Sequence, residues 1–308
     1  MKKLLALVLA LVMCLSVFTV SFAEAKTYEF VFIVKSMQFS FMLSMIDGAE
    51  AAAALVPNIN ISCIGPETPY SVTEQIELVE QAITNGVDAI CITPADSTGI
   101  IPAIEAANAA GIPIATPNTK AYGGEVLTWV GVDNYTVGYE LGIALCEALG
   151  GEGKVVLIEG TAGNSTSTER VDGYLDAFAK YPGIELLDSQ PADFNREKGM
   201  TVMENFLERY DEIDGVASVN KDMTMGAIEA VKNADRMEEM IQVTFDVDND
   251  CLDAIDAGEI LITGAQEEKS QIANSIYACL LACNGFKVAP EQYIPMTLVT
   301  KDNTSLYR

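Results

Sequence analysis

The chain of 308 residues contains no histidine, and it has only 18 lysines and arginines against 44 aspartates and glutamates. Histidine is the most frequent general base and metal ligand in proteins, so its absence excludes the usual nucleophile–histidine catalytic pairs. The formal net charge of -26 repels phosphate backbones and anionic lipid headgroups. We therefore expect neither a nucleic acid nor a membrane surface as a partner.

Motifs of catalysis and of cofactor binding are also missing from the sequence. The loop Gly160-Thr161-Ala162-Gly163 has neither the GxxxxGK[ST] nor the GxGxxG spacing of nucleotide sites. No GxSxG nucleophile elbow occurs, and no cysteine pair has the CxxC spacing of a zinc site. We expect a protein that is not an enzyme and that holds no metal and no cofactor. A secreted α/β enzyme is kept as an alternative from another class.

The first residues have the pattern of a secretory signal peptide. Lys2-Lys3 precede an apolar run over residues 4–20, and small residues follow at Ala23 and Ala25. We predict a signal peptide over residues 1–23, with cleavage after residue 25 as the alternative. The mature protein is then secreted across the cytoplasmic membrane, into a periplasm or onto an extracellular cell surface. Because Met13, which is not small, precedes Cys14, we do not expect acylation of that cysteine.

The leader is followed by an even number of cysteines, which is compatible with disulfides in a secreted protein. Two of them lie inside apolar strand-like runs, and two others share one face of a predicted helix. We favour the interpretation that these thiols fill small apolar spaces in the core. The six residues are Cys63, Cys91, Cys146, Cys251, Cys279 and Cys283.

From Thr27 onward, short β-rich runs alternate with helical segments. The helix predicted over residues 72–85 has an apolar residue at every third or fourth position. The predicted strands are apolar throughout, which is typical of parallel sheets covered by helices on both faces. The alternation restarts at Lys154 after a glycine-rich break. We predict two doubly wound α/β lobes, with strands over residues 28–34, 89–92, 155–158, 184–189, 215–219, 241–245, 260–265 and 296–300.

Six side chains that are suited to binding a sugar come at or shortly after the ends of apolar runs. Carboxylate, amide and guanidinium groups pair with vicinal hydroxyls, and aromatic rings stack on the C–H face of a sugar. The carboxyl ends of the strands in an open α/β sheet face one crevice, so distant residues meet there. Taken alone, each aspartate or asparagine fits a helix cap equally well. Together they predict a binding cleft formed by Asn118, Arg170, Phe194, Asn220, Asp246 and Gln266.

The segment from Ser189 to Arg196, with the sequence SQPADFNR, is the longest of several motifs that occur in a characteristic order. The others are Asp47-Gly48, Thr93 to Ser97, Gly111 to Ile114, Arg170-x-x-Gly173-Tyr174 and Phe245-Asp246. In this order the chain resembles the ribose- and galactose-type periplasmic sugar-binding proteins, which are the substrate-binding components of sugar ABC importers. The resemblance runs from about residue 28 to residue 300.

The resemblance implies a role for each predicted cleft residue. Arg170 would donate a bidentate pair of hydrogen bonds, and Asp246 would accept from two hydroxyls. Two amides, Asn220 and Gln266, would each donate and accept. Two aromatic rings, those of Phe41 and Phe194, would stack on opposite faces of the sugar from opposite lobes.

Several positions depart from the ribose-type pattern. Phe39 stands where that pattern has a polar ligand residue, and Met42 stands where it has a second aromatic. Hexose-type relatives have an asparagine at the position of Asn118. Ribose-type relatives have an Asp-Arg pair there, and Thr119 stands at the second position of that pair in this chain. These departures count against ribose as the ligand, and we include Phe39, Asn118 and Thr119 among the expected ligand contacts.

Lys35, at the end of the first predicted strand, is a further departure, because ribose-type relatives are neutral there. One hypothesis is that Lys35 contacts a ring oxygen or an acidic group of the ligand. The alternative is an ion pair with a cleft carboxylate such as Asp246.

The resemblance also implies two discontinuous lobes joined by three crossings of the chain. The N-terminal α/β lobe would comprise residues 27–132 plus 267–294, including a helix from Glu267 to about Ile294. The C-terminal α/β lobe would comprise residues 133–266 plus 295–308. The crossings near residues 132/133, 266/267 and 294/295 would form a three-strand hinge of the type I periplasmic binding protein kind.

The function expected from this resemblance is binding without turnover. We expect a monomer that captures a monosaccharide or similar polyol in the cleft and delivers it to the membrane permease of an ABC importer. The alternative output is signalling, in which the same cleft serves a membrane receptor or kinase and binds a ligand such as a signalling furanone.

Overall fold

The computed structural model describes residues 26–308, and the predicted signal peptide and Cys14 lie outside the described residues. The strands are β1 (Tyr28–Ile33), β2 (Ile59–Ile64), β3 (Ala89–Ile92), β4 (Ile114–Pro117), β5 (Thr128–Gly131), β6 (Glu152–Glu159), β7 (Gly183–Pro191), β8 (Gly215–Ser218), β9 (Ile241–Phe245), β10 (Ile262–Gln266), β11 (Glu291–Tyr293) and β12 (Met296–Val299). The helices are α1 (Ser40–Ala54), α2 (Val72–Thr84), α3 (Ile101–Ala109), α4 (Asn134–Ala148), α5 (Ser165–Phe178), α6 (Arg196–Arg209), α7 (Lys221–Asn233), α8 (Asn249–Ala257) and α9 (Glu268–Cys283).

These strands form two six-stranded sheets. The first has the order β11-β5-β4-β3-β1-β2, and all of its pairs are parallel. The second has the order β12-β10-β9-β8-β6-β7, and only its edge pair β10–β12 is antiparallel. We call the two units the first lobe and the second lobe. The predicted architecture of two parallel-sheet α/β lobes is confirmed.

The alternation of side chains along β1 shows why the sheet is covered on both faces. Phe30 and Phe32 pack into the apolar cluster beneath α1 and α9, whereas Val31 and Ile33 pack into the cluster beneath α2 and α3. A strand exposes successive side chains to opposite faces, so a strand that is apolar throughout needs a helical layer on each side. The second lobe is built in the same way around a core that includes Phe245.

One predicted helix is wrong in its extent. The sequence was expected to continue as a helix from Glu267 to about Ile294, but α9 ends at Cys283. Gly285 follows with φ of 80°, in the left-handed region that terminates helices and favours glycine. The chain then forms the edge strand β11, which pairs with β5 in the first sheet.

The chain passes between the lobes three times. It leaves the first sheet after β5 and enters α4, which packs on α5 and on strands of the second sheet. It returns between β10 and α9, which packs on α1 and on strands of the first sheet. It crosses again between β11 and β12. Three neighbouring crossings allow the lobes to rotate relative to each other about a hinge.

All six cysteines of the described residues are free thiols. Cys91, Cys146, Cys251 and Cys279 are buried, in agreement with a packing role, whereas Cys63 and Cys283 are only half-buried. Over residues 26–308, no helix is long and apolar enough to cross a membrane. The same residues contain no group of three or more acidic, cysteine or histidine side chains placed to hold a metal ion.

Candidate functional site

A small cavity of about 30 Å³ lies between the two lobes, where the carboxyl ends of several strands approach each other. The residues that line it are Lys35, Phe39, Phe41, Met42, Tyr70, Asn118, Thr166, Arg170, Phe194, Asn220, Asp222, Asp246 and Gln266.

The structure brings nine of the ten sequence-predicted site residues to this cavity. The exception is Thr119, which does not line the cavity but accepts a hydrogen bond of 2.8 Å from Lys35 Nζ. The cavity thus collects residues from the whole length of the chain, as parallel strands require. Their roles as ligand contacts stay predictions.

Arg170, on α5, is held by contacts that leave part of its guanidinium free. Its Nε donates to Asn134 Oδ1 at 2.9 Å, and its Nη1 donates to the carbonyl oxygen of Val219 at 2.7 Å. The guanidinium carbon lies 3.9 Å from the ring centroid of Phe245. Within the described residues Arg170 Nη2 is buried and has no hydrogen-bond partner. Arg170 therefore presents a fixed donor to the cavity.

Asp246 follows β9 and faces Arg170 across the cavity wall. Gln266 Nε2 donates to its Oδ1 at 2.5 Å, which orients the carboxylate. The carbonyl oxygen of Asp246 accepts from Thr263 Oγ1 at 2.8 Å, which anchors the backbone. Burial raises the pKa of Asp246 to about 6, although Arg170 and Gln266 act in the opposite direction. Asp246 is therefore mostly ionised at neutral pH and can accept from hydroxyls.

Asn220 both caps a helix and lines the cavity. Its Oδ1 accepts from the backbone N–H of Met223 at 3.0 Å, so the capping interpretation holds for this residue. The cap uses the oxygen of the amide and fixes the orientation of the side chain. The amide nitrogen remains as the group that can donate to a ligand.

Lys35 lies at the end of β1 and is buried. Its Nζ donates to Asn118 Oδ1 at 3.2 Å and to Thr119 Oγ1 at 2.8 Å. The ion pair with Asp246 that the sequence left open is not formed, and no carboxylate of residues 26–308 lies within salt-bridge distance of this ammonium group. Burial and, to a smaller extent, the charge of Arg170 lower the pKa of Lys35 to about 7, and Asp246 partly opposes both effects.

The aromatic wall differs from the predicted pair of rings. Phe194 stacks on Tyr70, with ring centroids 5.8 Å apart and an angle of 18° between the planes. Tyr70 also contacts Phe39 at 5.6 Å, and Lys35 Nζ lies 5.5 Å from the centroid of Phe194. Phe41 lines the same cavity. The two lobes thus share one aromatic cluster, because Tyr70 belongs to the first lobe and Phe194 to the second.

Four residues of the cavity wall were not among the predicted ligand contacts: Met42, which the sequence showed only as a departure from the ribose-type pattern, and Tyr70, Thr166 and Asp222. Tyr70 lies in the loop between β2 and α2, where no motif signals its role. Thr166 lies in the first turn of α5, and Asp222 comes two residues after Asn220 in the first turn of α7. Position at the N-terminus of a helix that follows a strand is the one signal that could have indicated the last two.

Unusual backbone conformations concentrate at this cavity. Among the described residues, only six that are not glycine have a positive φ, and four of them line the cavity: Tyr70 at 62°, Asn118 at 65°, Phe194 at 54° and Asp246 at 74°. For bulky side chains this conformation costs on the order of 1–3 kcal/mol. Such strain is typical of functional sites, where it fixes the direction of a side chain.

Contacts outside the cavity also join the lobes. Asn164 Nδ2 donates to the carbonyl oxygens of Pro94 at 3.1 Å and Ala95 at 3.2 Å. The backbone N–H of Ser97 donates to the carbonyl oxygen of Gly163 at 3.0 Å, and the N–H of Ser165 donates to Ser97 Oγ at 3.0 Å. The loop after β3 is therefore bonded to the N-terminus of α5, and these bonds stabilise the arrangement in which the lobes enclose the cavity.

Comparison with known proteins matches this geometry to a family. A sequence model described as a periplasmic binding protein domain matches residues 30–287. The chain belongs to this family. Membership implies an extracytoplasmic location, and the resemblance inferred from the motifs is confirmed.

Relatives of known ligand agree with the family assignment. The chain is 29% identical to the ribose import binding protein of Escherichia coli K12 over 301 residues, which cover 98% of this chain and 99% of the relative. Among solved structures it is similar to an ABC transporter periplasmic solute-binding protein from Actinobacillus succinogenes with bound D-allose, with a TM-score of 0.86, 30% identity and coverage of 91% and 100%. It is also similar to an ABC transporter solute-binding protein from Bacillus halodurans with bound myo-inositol, with a TM-score of 0.87, 28% identity and coverage of 92% and 98%.

Proposed function

We propose that this protein captures a monosaccharide or similar polyol in the interlobe cavity and delivers it to the permease of an ABC importer. The observation that supports this proposal most directly is the convergence of Arg170, Asn220, Asp246 and two aromatic side chains on one buried cavity. The relatives support the output, since the three described above, at 28–30% identity, are named as import or ABC transporter binding proteins. Because they are binding proteins, we infer that this chain binds its ligand without turnover.

The donors and acceptors of the cavity suit a polyol. Arg170 offers Nη2 as a donor, Asp246 offers a carboxylate, and Asn220 and Gln266 offer amides. Charge-assisted hydrogen bonds contribute about 1.5–3 kcal/mol each. Three or four of them, together with stacking on the aromatic wall, offset the cost of ordering and reach the roughly 8 kcal/mol of a micromolar complex.

Hinge closure explains how a buried cavity admits its ligand. In an open form the ligand binds to one lobe, and rotation about the three crossings then brings the other lobe against it. We infer that the lobes comprise residues 27–132 plus 267–294 and residues 133–266 plus 295–308. The bonds of Asn164 and Ser97 join the two lobes, so we infer that they form on closure and stabilise the enclosed form.

Calorimetric titration of the protein with ribose, D-allose, xylitol and myo-inositol tests this function. Arg170→Ala and Asp246→Ala should each weaken the binding of the best ligand by about 10-fold or more, because each leaves a polyol hydroxyl unpaired in a buried site. The matched controls are Arg209→Ala and Asp302→Ala, which remove an exposed arginine and an exposed aspartate. Unchanged affinity in both cavity variants would contradict the proposed site.

A further inference from the structure

The buried charges of the cavity do not balance. Lys35, Arg170 and Asp246 line it with exposed fractions of 3%, 1% and 7%. When Lys35 is protonated, two of these groups are cationic and one is anionic. An uncompensated charge in a buried site is costly, because the protein replaces water poorly around it.

The other carboxylate of the cavity wall does not supply the missing negative charge. Asp222 accepts from Lys221 Nζ at 2.9 Å, and Lys221 also pairs with Asp248 and donates to Ser40 Oγ at 3.0 Å. Burial alone would lower the pKa of Lys221, but Asp222 and Asp248 raise it above its ordinary value. The side chains of Asp222 and Asp248 are 20% and 36% exposed, so water screens the negative charge that Lys221 does not neutralise.

Lys35 is the cation that lacks a counter-charge. Both of its hydrogen-bond acceptors, Asn118 Oδ1 and Thr119 Oγ1, are neutral oxygens. An ammonium group has three donors, and the structure uses two of them. The rings of Phe194 and Tyr70, 5.5 and 5.9 Å away, bring partial negative charge without a hydrogen bond. Since Lys35 lines the cavity, its third donor is available to a ligand.

We propose that the ligand carries a single negative charge and that the cavity selects a monosaccharide acid, a uronate or an aldonate, whose carboxylate accepts from Lys35 Nζ. This inference rests on the proposed function, since it concerns the same cavity. Arg170 and Asp246 then remain for the hydroxyls of the polyol. One carboxylate balances the buried charges, whereas a phosphate group, with nearly two charges, would leave an excess of negative charge.

Paired ligands that differ only in replacement of a CH₂OH group by a carboxylate test this inference. The pairs are D-galactose and D-galacturonate, D-glucose and D-glucuronate, and ribitol and D-ribonate. In at least one pair we expect the acid to bind at least about 10-fold more tightly than its neutral partner, as measured by calorimetry. D-Galactose 6-phosphate should bind less tightly than D-galacturonate, and the opposite order would overturn the assignment of a carboxylate.

Two variants test the role of Lys35 in different ways. Lys35→Met removes the cation, and Asn118→Asp places a carboxylate where an amide oxygen now lies 3.2 Å from Nζ. Each should reduce the ratio of acid to neutral affinity to about 1, because Lys35→Met removes the positive charge and Asn118→Asp compensates it within the protein. Aspartate tolerates the positive φ of position 118. Lys180→Met is the matched control, since it removes an exposed lysine.

The outcomes separate this inference from the proposed function. Preference for the acid that both variants abolish and the control retains would support it. Equal or tighter binding of the neutral partner in every pair would overturn the acid assignment while the function of polyol capture stands. Failure of every acid, sugar and polyol to bind would overturn both. Preference for the acid that survives in both variants would show that another group binds the carboxylate.

Discussion

Replacement of Lys35 by methionine should stabilise the ligand-free protein, although it removes a predicted ligand contact. The pKa of this lysine falls from 10.5 to about 7 because it is buried near Arg170. At 1.36 kcal/mol per pKa unit, this corresponds to an upper limit of about 5 kcal/mol of destabilisation at neutral pH. Methionine keeps the apolar stem, but it leaves the oxygens of Asn118 and Thr119 without this donor, at about 1 kcal/mol each. We expect a net gain of about 1–3 kcal/mol.

The pH dependence gives this prediction a second, independent readout. Between pH 7 and pH 10.5 the unfolded chain binds more protons at position 35 than the folded protein does. Stability from this group is therefore fully present above pH 10.5 and is lost as the pH falls to about 7. The advantage of Lys35→Met over the wild type should be largest near pH 7 and should shrink as the pH rises.

Urea denaturation of the wild type, Lys35→Met and the exposed-lysine control Lys180→Met would measure these differences. Both variants replace a lysine by methionine, so the difference between them isolates the effect of burial. A loss of stability in Lys35→Met at pH 7, with no dependence on pH, would refute the reasoning. It would mean that the ammonium group is well solvated or paired in the folded protein.

Three further predictions concern the lobes, the aromatic wall and the protonation of the cavity. Asn164→Asp keeps the oxygen that caps α5 but replaces the donor to Pro94 and Ala95 by a charged acceptor. Although residue 164 does not contact the ligand, this variant should weaken ligand binding by about 10-fold. An unchanged dissociation constant in calorimetry would contradict a role of Asn164 in closure. Tyr70→Phe should change the affinity for the ligand by less than about threefold, because it keeps the ring that stacks on Phe194. Tyr70→Ala removes this ring and should reduce the affinity by about 10-fold or more. Equal losses in the two variants would assign the effect to the hydroxyl instead. Binding of a uronate should weaken as the pH rises from about 7 to about 8.5, since Lys35 then loses its proton, and titration in buffers of different ionisation enthalpy should detect proton uptake near pH 7. A neutral sugar should bind without this proton uptake under the same conditions and serves as the comparison. A uronate affinity that does not depend on pH would contradict this prediction.

The sequence was sufficient for the architecture because the signals of secondary structure are local. A strand such as β3 is apolar throughout, and its predicted bounds of 89–92 agree with the structure. The strand-end positions of Asn118, Asn220, Asp246 and Gln266 follow from the same periodicity, since the topology of a parallel sheet brings strand ends together. The end of α9 was predicted too late, because β11 is an edge strand of three residues without a distinctive pattern.

Features that depend on distant contacts could not be predicted in this way. Nothing around Tyr70 indicates that its ring stacks on Phe194, because the two lie 124 positions apart and meet only when the lobes enclose the cavity. Thr119 was predicted to contact the ligand, yet the structure turns it toward Lys35 Nζ, behind the cavity wall.

Hydrophobic periodicity specifies which faces are buried, so the residues along the chain are enough to predict two parallel-sheet α/β lobes with polar side chains at the strand ends. The charge balance of the cavity, in contrast, depends on the folded arrangement. Lys35, Arg170 and Asp246 come from three separate parts of the chain, and their pKa values depend on burial and on one another. Burial and mutual distance are properties of the folded arrangement, so no local pattern encodes them.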